Sequence, residues 1–154
     1  ENMTFTHRIF VDADACPVKE ECIKCSKKFG TELTFVASIK NKSHGFTEEK
    51  WVYVDWHKEA ADLYLMNACK KGDIAVTSDI GLAAALIGKG VCVVSPRGIM
   101  YDENNIDSLL FMRHTAAKKR RRGVYTKGPK AFTAADRQNF HEMLTSILSN
   151  FAGK

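Results

Sequence analysis

Short apolar runs rich in valine, isoleucine and phenylalanine alternate with stretches of helical spacing along the whole chain, and this alternation restricts the possible folds most. Ile9–Val11, Leu33–Ile39, Trp51–Val54, Ile74–Thr77 and Val91–Val94 read as strands. Between and after them, helices are expected from Pro17 to about Phe29, over Lys58–Lys71 and over Ile80–Ile87. A further helix, capped by Asn104 or Asn105, runs through Leu109, Leu110 and Met112. Thr133 looks like the cap of a last helix, about 133–151, with Phe140, Leu144, Ile147 and Leu148 on one face. Gly30 and Gly72 stop helices, and Gly88 and Gly90 frame a turn. Strands alternating with helices at short spacing predict an α/β three-layer sandwich with a mostly parallel sheet of about five strands.

A length of 154 residues suits a single domain with a real core. No apolar run approaches the about 20 residues of a membrane span. The first residues, Glu1 to His7, lack the pattern of a signal peptide. Five cysteines, an odd number without the spacing of a disulfide framework, point to a reducing, cytoplasmic setting. Cys22 and Cys25 fall inside a helix with no second pair, which argues against a zinc site.

The formal charge of +5 is not spread evenly. Arg113, Lys118, Lys119, Arg120, Arg121, Arg122, Lys127 and Lys130 lie in one stretch with no acidic residue, leaving 15 basic against 18 acidic residues elsewhere. The stretch, expected as a basic loop over about 113–131, is what a polyanion binder needs, and equally what a solvated basic loop looks like.

In a parallel sheet all strand carboxyl ends share one edge, and ligands bind there. That edge would carry Asp12 and Asp14 after the first strand and Asp55 after the third. Asp62 falls early in the next helix, Ser78 and Asp79 follow the fourth strand, and Ser95 and Arg97 follow the fifth. Lys42, Ser43 and His44 would lie near. Asp73 falls at the opposite end of its strand and suits the turn after Gly72. Each aspartate alone equally suits helix capping. Together, several carboxylates on one edge repel each other unless a cation sits among them. Mg²⁺ or Mn²⁺ is the expected partner, with Asp12, Asp62 and Asp79 as primary ligands and Asp14 second. Such ions orient a phosphodiester and generate hydroxide. Ser78, Arg97, Arg113 and Lys118 to Arg122 would then hold substrate phosphate.

Val11-Asp12-Ala13-Asp14-Ala15-Cys16-Pro17-Val18 resembles the opening signature of the bacterial YaiI/YqxD family. So do Ala60-Ala61-Asp62, Gly72-Asp73-Ile74 through Thr77-Ser78-Asp79, Leu82-Ala83, Pro96-Arg97-Gly98, Arg113, Gly128-Pro129, and Phe132-Thr133 through Asp136-Arg137. The resemblance covers nearly the whole chain. It implies a PIN-like fold, that of metal-dependent ribonucleases, with Asp12, Asp62 and Asp79 at the acidic positions and Asp14 supporting. The expectation is a metal-dependent nuclease acting on RNA rather than DNA. Two other readings stand beside it. One is a non-catalytic RNA- or ribosome-binding protein. The other is a phosphatase of the haloacid dehalogenase type, which Asp12-Ala13-Asp14 resembles but Ala15-Cys16 and the place of Gly72-Asp73 disfavour.

Overall fold

The computed structural model describes residues 7–42, 48–57, 59–124 and 130–152. Ser43, His44, Lys58, Lys127, Gly128 and Pro129 lie outside them. The elements run β1 (Arg8–Asp12), α1 (Lys19–Phe29), β2 (Glu32–Ser38), β3 (Lys50–Val54), α2 (Ala60–Ala68) and β4 (Ile74–Val76). They continue as α3 (Ile80–Gly88), β5 (Cys92–Val94), β6 (Met100–Tyr101), α4 (Glu103–Arg121) and α5 (Ala134–Ala152).

The strands form one sheet in the order β3-β2-β1-β4-β5-β6. Every pairing is parallel except that of β5 with β6. The chain therefore winds outward from β1 in one direction and then, from β4, in the other. The reversal leaves a crevice between the carboxyl ends of β1 and β4, where open sheets of this winding take their ligands.

Side chains alternate faces along a strand, and both faces here are covered, so the strands are apolar on both sides. Ile9, Val11, Phe35, Ile74, Val76 and Val94 pack with α1 and with Phe140, Leu144, Ile147 and Leu148 of α5. Phe10, Val36, Ala75 and Val93 pack on the other face against Leu65 of α2, Leu82 and Leu86 of α3 and Ile106 of α4. The result is the expected three-layer α/β arrangement. Cys22 and Cys25 are buried members of the first layer, and all five cysteines are free thiols. Burial, with help from Asp73, pushes the Cys69 thiol up to about 12.

Several local expectations shift. The sheet has a sixth strand, because Ser95-Pro96-Arg97-Gly98 is a tight turn that folds the chain back on β5 rather than a simple exit loop. In it Ser95 N–H donates to Ile99 C=O (2.8 Å) and Gly98 N–H to Ser95 C=O (2.9 Å). Helix α4 is capped by Asp102, not by Asn104 or Asn105. The Asp102 carboxylate accepts from both asparagine N–H groups, and the Asn105 side chain accepts from the Asp102 N–H in return. The basic residues Arg113 to Arg121 are helical rather than loop, in the second half of α4. Four of them fill the last turn, where the helix dipole favours positive charge. Thr133 does cap α5, its hydroxyl accepting from Asp136 N–H (3.1 Å). No helix is long and apolar enough to cross a membrane, among the described residues.

Candidate active site at the sheet edge

Asp12 ends β1, and Thr77 follows β4 directly beside it. The Thr77 hydroxyl donates to Asp12 Oδ2 (2.8 Å) and accepts from the Asp79 N–H (3.1 Å). This buried threonine ties the two carboxylate-bearing segments together across the crevice. A threonine between a strand and a helix looks from sequence like an ordinary cap residue. Its pairing with a residue 65 positions away was not legible.

Asp79 is the cap of α3, its Oδ1 accepting from Leu82 N–H (3.1 Å). Capping and membership of the acidic group are thus combined in one side chain. Asp62 sits in the first turn of α2, half-buried. Burial raises the Asp62 carboxyl above its ordinary range, and the charges of Asp79, Asp12 and Glu59 add to it. Burial likewise raises Asp12, against the Thr77 hydrogen bond, and Asp14 and Asp79 raise it further. The charge of Asp79 thus reaches both Asp12 and Asp62, and that of Asp12 reaches Asp62.

Asp14 plays a different part. Both its oxygens accept from the Ser38 N–H (3.0 and 3.1 Å), and Oδ1 also accepts from Asn41 Nδ2 (2.9 Å). It fastens the turn after β1 to the end of β2 and does not cap α1, whose cap Val18 has no side-chain bond. Asp55 is exposed beside His57 at 3.5 Å, after the outermost strand.

The basic residues divide. Arg113 reaches back from α4 to Asp79 (3.8 Å) with both side chains open to water. Lys118, Lys119, Arg120, Arg121 and Arg122 are exposed on the far end of the same helix. Arg97 is committed elsewhere. Its guanidinium donates to Asp136 (2.7 Å), to Ala131 C=O (3.4 Å) and to Lys130 C=O, and holds the start of α5. Ser78 is exposed between Thr77 and Asp79. Ser95 is buried, its hydroxyl accepting from the N–H groups of Arg97 and Ile99. Tyr101, absent from the sequence reading, places a phenol against Ser95 and within the field of Asp79.

The donor chemistry of Asp12, Asp62 and Asp79, all hard carboxylate oxygens, fits Mg²⁺ or Mn²⁺. The spacing is open: among the described residues no three His, Cys, Asp or Glu side chains form a ready ligand set. Asp73, the carboxylate that a haloacid dehalogenase-type site would need on this edge, lies at the opposite end of β4 and pairs with Arg8 (2.6 Å).

The raised Asp12 carboxyl has a consequence for stability. An acid whose folded-state pKa lies above its unfolded value makes folding less favourable as pH rises through that interval. The penalty grows as pH rises above the ordinary carboxylate range. Asp12→Asn keeps an acceptor for Thr77 and removes the charge. It is expected to raise the melting temperature at pH 7 in EDTA, with the gain shrinking as pH falls and absent below about pH 4, where both states are protonated. Thermal melts of both proteins across that range test this; an equal gain at all pH values would refute the electrostatic cause.

The match to known proteins covers almost the entire chain. The family model described as Uncharacterized BCR, YaiI/YqxD family, matches residues 10–150. A UPF0178 protein of Listeria monocytogenes is 49% identical over 143 residues, covering 93% of this chain and 96% of its own. One from Bacillus velezensis is 48% identical over 146 residues, covering 94% and 87%. Another from Bacillus cytotoxicus is 45% identical over 146 residues, covering 95% of each. No solved structure matches the chain. With a family model spanning β1 to α5 and relatives this similar along their full length, the chain belongs to the YaiI/YqxD family.

Proposed function

We propose that this protein is a metal-dependent nuclease that cleaves RNA phosphodiesters in the cytoplasm. The observation that supports the reading is the crevice between β1 and β4, where the charges of Asp12 and Asp79 reach Asp62 and Arg113 of the basic helix lies 3.8 Å from Asp79. Asp12, Asp62 and Asp79 would hold Mg²⁺ or Mn²⁺, with Asp14 shaping the turn beside them. The ion would supply an activated water and charge neutralisation at the phosphate. Thr77 keeps Asp12 aimed into the crevice. Arg113 can exchange Asp79 for a substrate phosphate. Lys118 to Arg122 extend a positive strip along α4 that suits a nucleic-acid backbone. The PIN-like resemblance of the motifs favours RNA over DNA.

The test is cleavage of labelled single-stranded RNA with Mn²⁺, Mg²⁺ or EDTA, wild type beside Asp79→Asn. Asparagine caps helices as well as aspartate, so the variant keeps α3 intact and loses only the charge. Cleavage is expected only with metal, and at least about a hundredfold slower in the variant. Cleavage that survives EDTA, or is equal in both proteins, would overturn the assignment.

The open spacing of the carboxylates favours a second reading, a non-catalytic RNA-binding protein. It would bind RNA through α4 with strong salt dependence, unaffected by Asp12→Asn, and cleave nothing. The place of Asp73, held by Arg8 at the opposite end of β4, continues to disfavour the phosphatase reading.

A further inference from the structure

A cleft of about 600 Å³ opens beside Ser78, the residue before Asp79, at the ends of β4 and β5. That volume lies within the range of about 300–1,000 Å³ usual for small-molecule sites. Its walls are mostly apolar and flat: Pro17 from the turn after β1, Pro96 and Ile99 from the β5–β6 turn, Tyr101 from β6, and Phe132 from the segment before α5. Arg97 and Arg137 lie over the Phe132 ring, 5.8 and 5.2 Å from its centre, and fix its orientation. Polar groups are few. The Ser95 and Tyr101 hydroxyls meet at one wall, and Ser78 stands at the side shared with the acidic group.

The charge of the cleft selects among ligands. Among the described residues Arg97 is the one cation in the lining, and its guanidinium is already taken by Asp136 and two backbone carbonyls. Among the described lining residues nothing is left to neutralise a phosphate or a carboxylate. The cleft suits a neutral planar ring with polar edges. A group attached to that ring would emerge next to Asp79, where the acidic edge and Arg113 begin. A nucleobase joined to its sugar phosphate has this combination of a flat, uncharged ring and a nearby anionic group.

We infer that the cleft between the turn after β1, the β5–β6 turn and Phe132 is a nucleobase subsite, which holds the base of a nucleotide whose phosphate lies at the Asp12–Asp79 edge. The inference rests on the nucleic-acid reading of that edge and adds what the substrate must present: an unpaired base, free to leave a stack and enter the cleft. A duplex would not fit it. Stacking walls accept any base, while the Tyr101 hydroxyl, backed by Ser95, gives a preference through a hydrogen bond.

The test is calorimetric titration in EDTA with adenosine, uridine and ribose, which carry no phosphate to be repelled by the metal-free carboxylates. Both nucleosides are expected to bind at least about tenfold more tightly than ribose. Ile99 is 50% exposed, so Ile99→Trp should fill the cleft without unfolding the protein, and a thermal melt checks this. It is expected to weaken nucleoside binding at least about tenfold, and Tyr101→Phe to change the adenosine-to-uridine ratio. Equal binding of ribose, no nucleoside binding, or a folded Ile99→Trp that binds as wild type would overturn the subsite. A tetranucleotide that binds more tightly than the nucleosides identifies a strand as the source of the base, and equal or weaker binding identifies a free nucleoside or nucleotide. Nucleoside binding lost in Ile99→Trp but without cleavage by wild type would reject the nuclease and keep the subsite. Metal-dependent cleavage indifferent to Ile99→Trp would do the reverse.

Discussion

Gly98→Ala is expected to destabilise the protein by about 4 kcal/mol. Gly98 has φ +86, where L side chains are strained. A Cβ there would stand 2.5 Å from the Asn139 carbonyl carbon and 2.7 Å from both its oxygen and the Phe140 nitrogen. These are backbone atoms of α5, not the tip of a flexible side chain. The turn cannot easily move away, because Ser95 holds Arg97 and Ile99 by its hydroxyl and Arg97 is bonded to Asp136 at the start of α5. Relief would require lifting α5, whose Phe140 and Leu144 are fully buried. Gly88→Ala is the control: nothing lies within 4 Å of its added Cβ, and Gly88 ends a helix at ordinary φ. It is expected to be neutral or to stabilise by about 0.5 kcal/mol. Urea unfolding of the three proteins, followed by circular dichroism, measures the difference. A loss below about 1 kcal/mol in Gly98→Ala would mean that the turn and α5 are not locked together as described.

Asp73→Ala is expected to cost about 3 kcal/mol. The Asp73 carboxylate is buried and accepts three hydrogen bonds. Arg8 gives two of them (3.2 and 2.6 Å), and the Lys70 N–H at the end of α2 gives the third (2.7 Å). Arg8 also donates to Ala68 C=O and lies 5.0 Å from the centre of the Phe10 ring. One carboxylate thus closes α2, the start of β1 and the start of β4 together. Alanine would leave the Lys70 N–H unpaired and the Arg8 guanidinium without its partner. Because Arg8 stays one-third exposed, water recovers part of that loss, which keeps the figure below that of a fully buried pair. Asp73→Asn keeps an acceptor for Lys70 and should fall between. Chemical unfolding of these variants, alone and with Arg8→Met, isolates the coupling, expected at about 1 kcal/mol or more. Additive losses would show that the ion pair contributes nothing and that the capping bond carries the effect.

The elements made of local signals were legible from residues alone. Valine- and isoleucine-rich runs became β1, β2, β3, β4 and β5 to within one or two residues. Gly30 and Gly90 adopt positive φ at the turns they were expected to make, whereas the helix expected to reach Lys71 ends at Ala68, so Gly72, also at positive φ, turns the chain into β4 rather than stopping α2. Thr133 and Phe140 to Leu148 behave as the cap and buried face of α5 because spacing along a helix is set within a few residues. β6 was missed because two residues, Met100 and Tyr101, are too short to show a period. The Asp102 cap was missed because three neighbouring polar residues could all serve.

The site was only partly legible, for a different reason. Parallel winding by itself puts Asp12, Asp62 and Asp79 on one edge, since that follows from strand direction. What each side chain does there depends on segments far apart in the chain. Asp14 looked like a cation ligand or a cap until the end of β2 was seen to deliver the Ser38 N–H to it. Arg97 looked free for phosphate until α5 brought Asp136 to it from 39 residues away. Sequence by itself determined which segments become strands and helices and on which edge the carboxylates gather, because propensity, periodicity and strand direction are short-range properties of the chain. Only the tertiary structure decided which of those polar groups stay available, because a hydrogen bond or ion pair is used up by whichever distant partner the packing brings within about 3 Å.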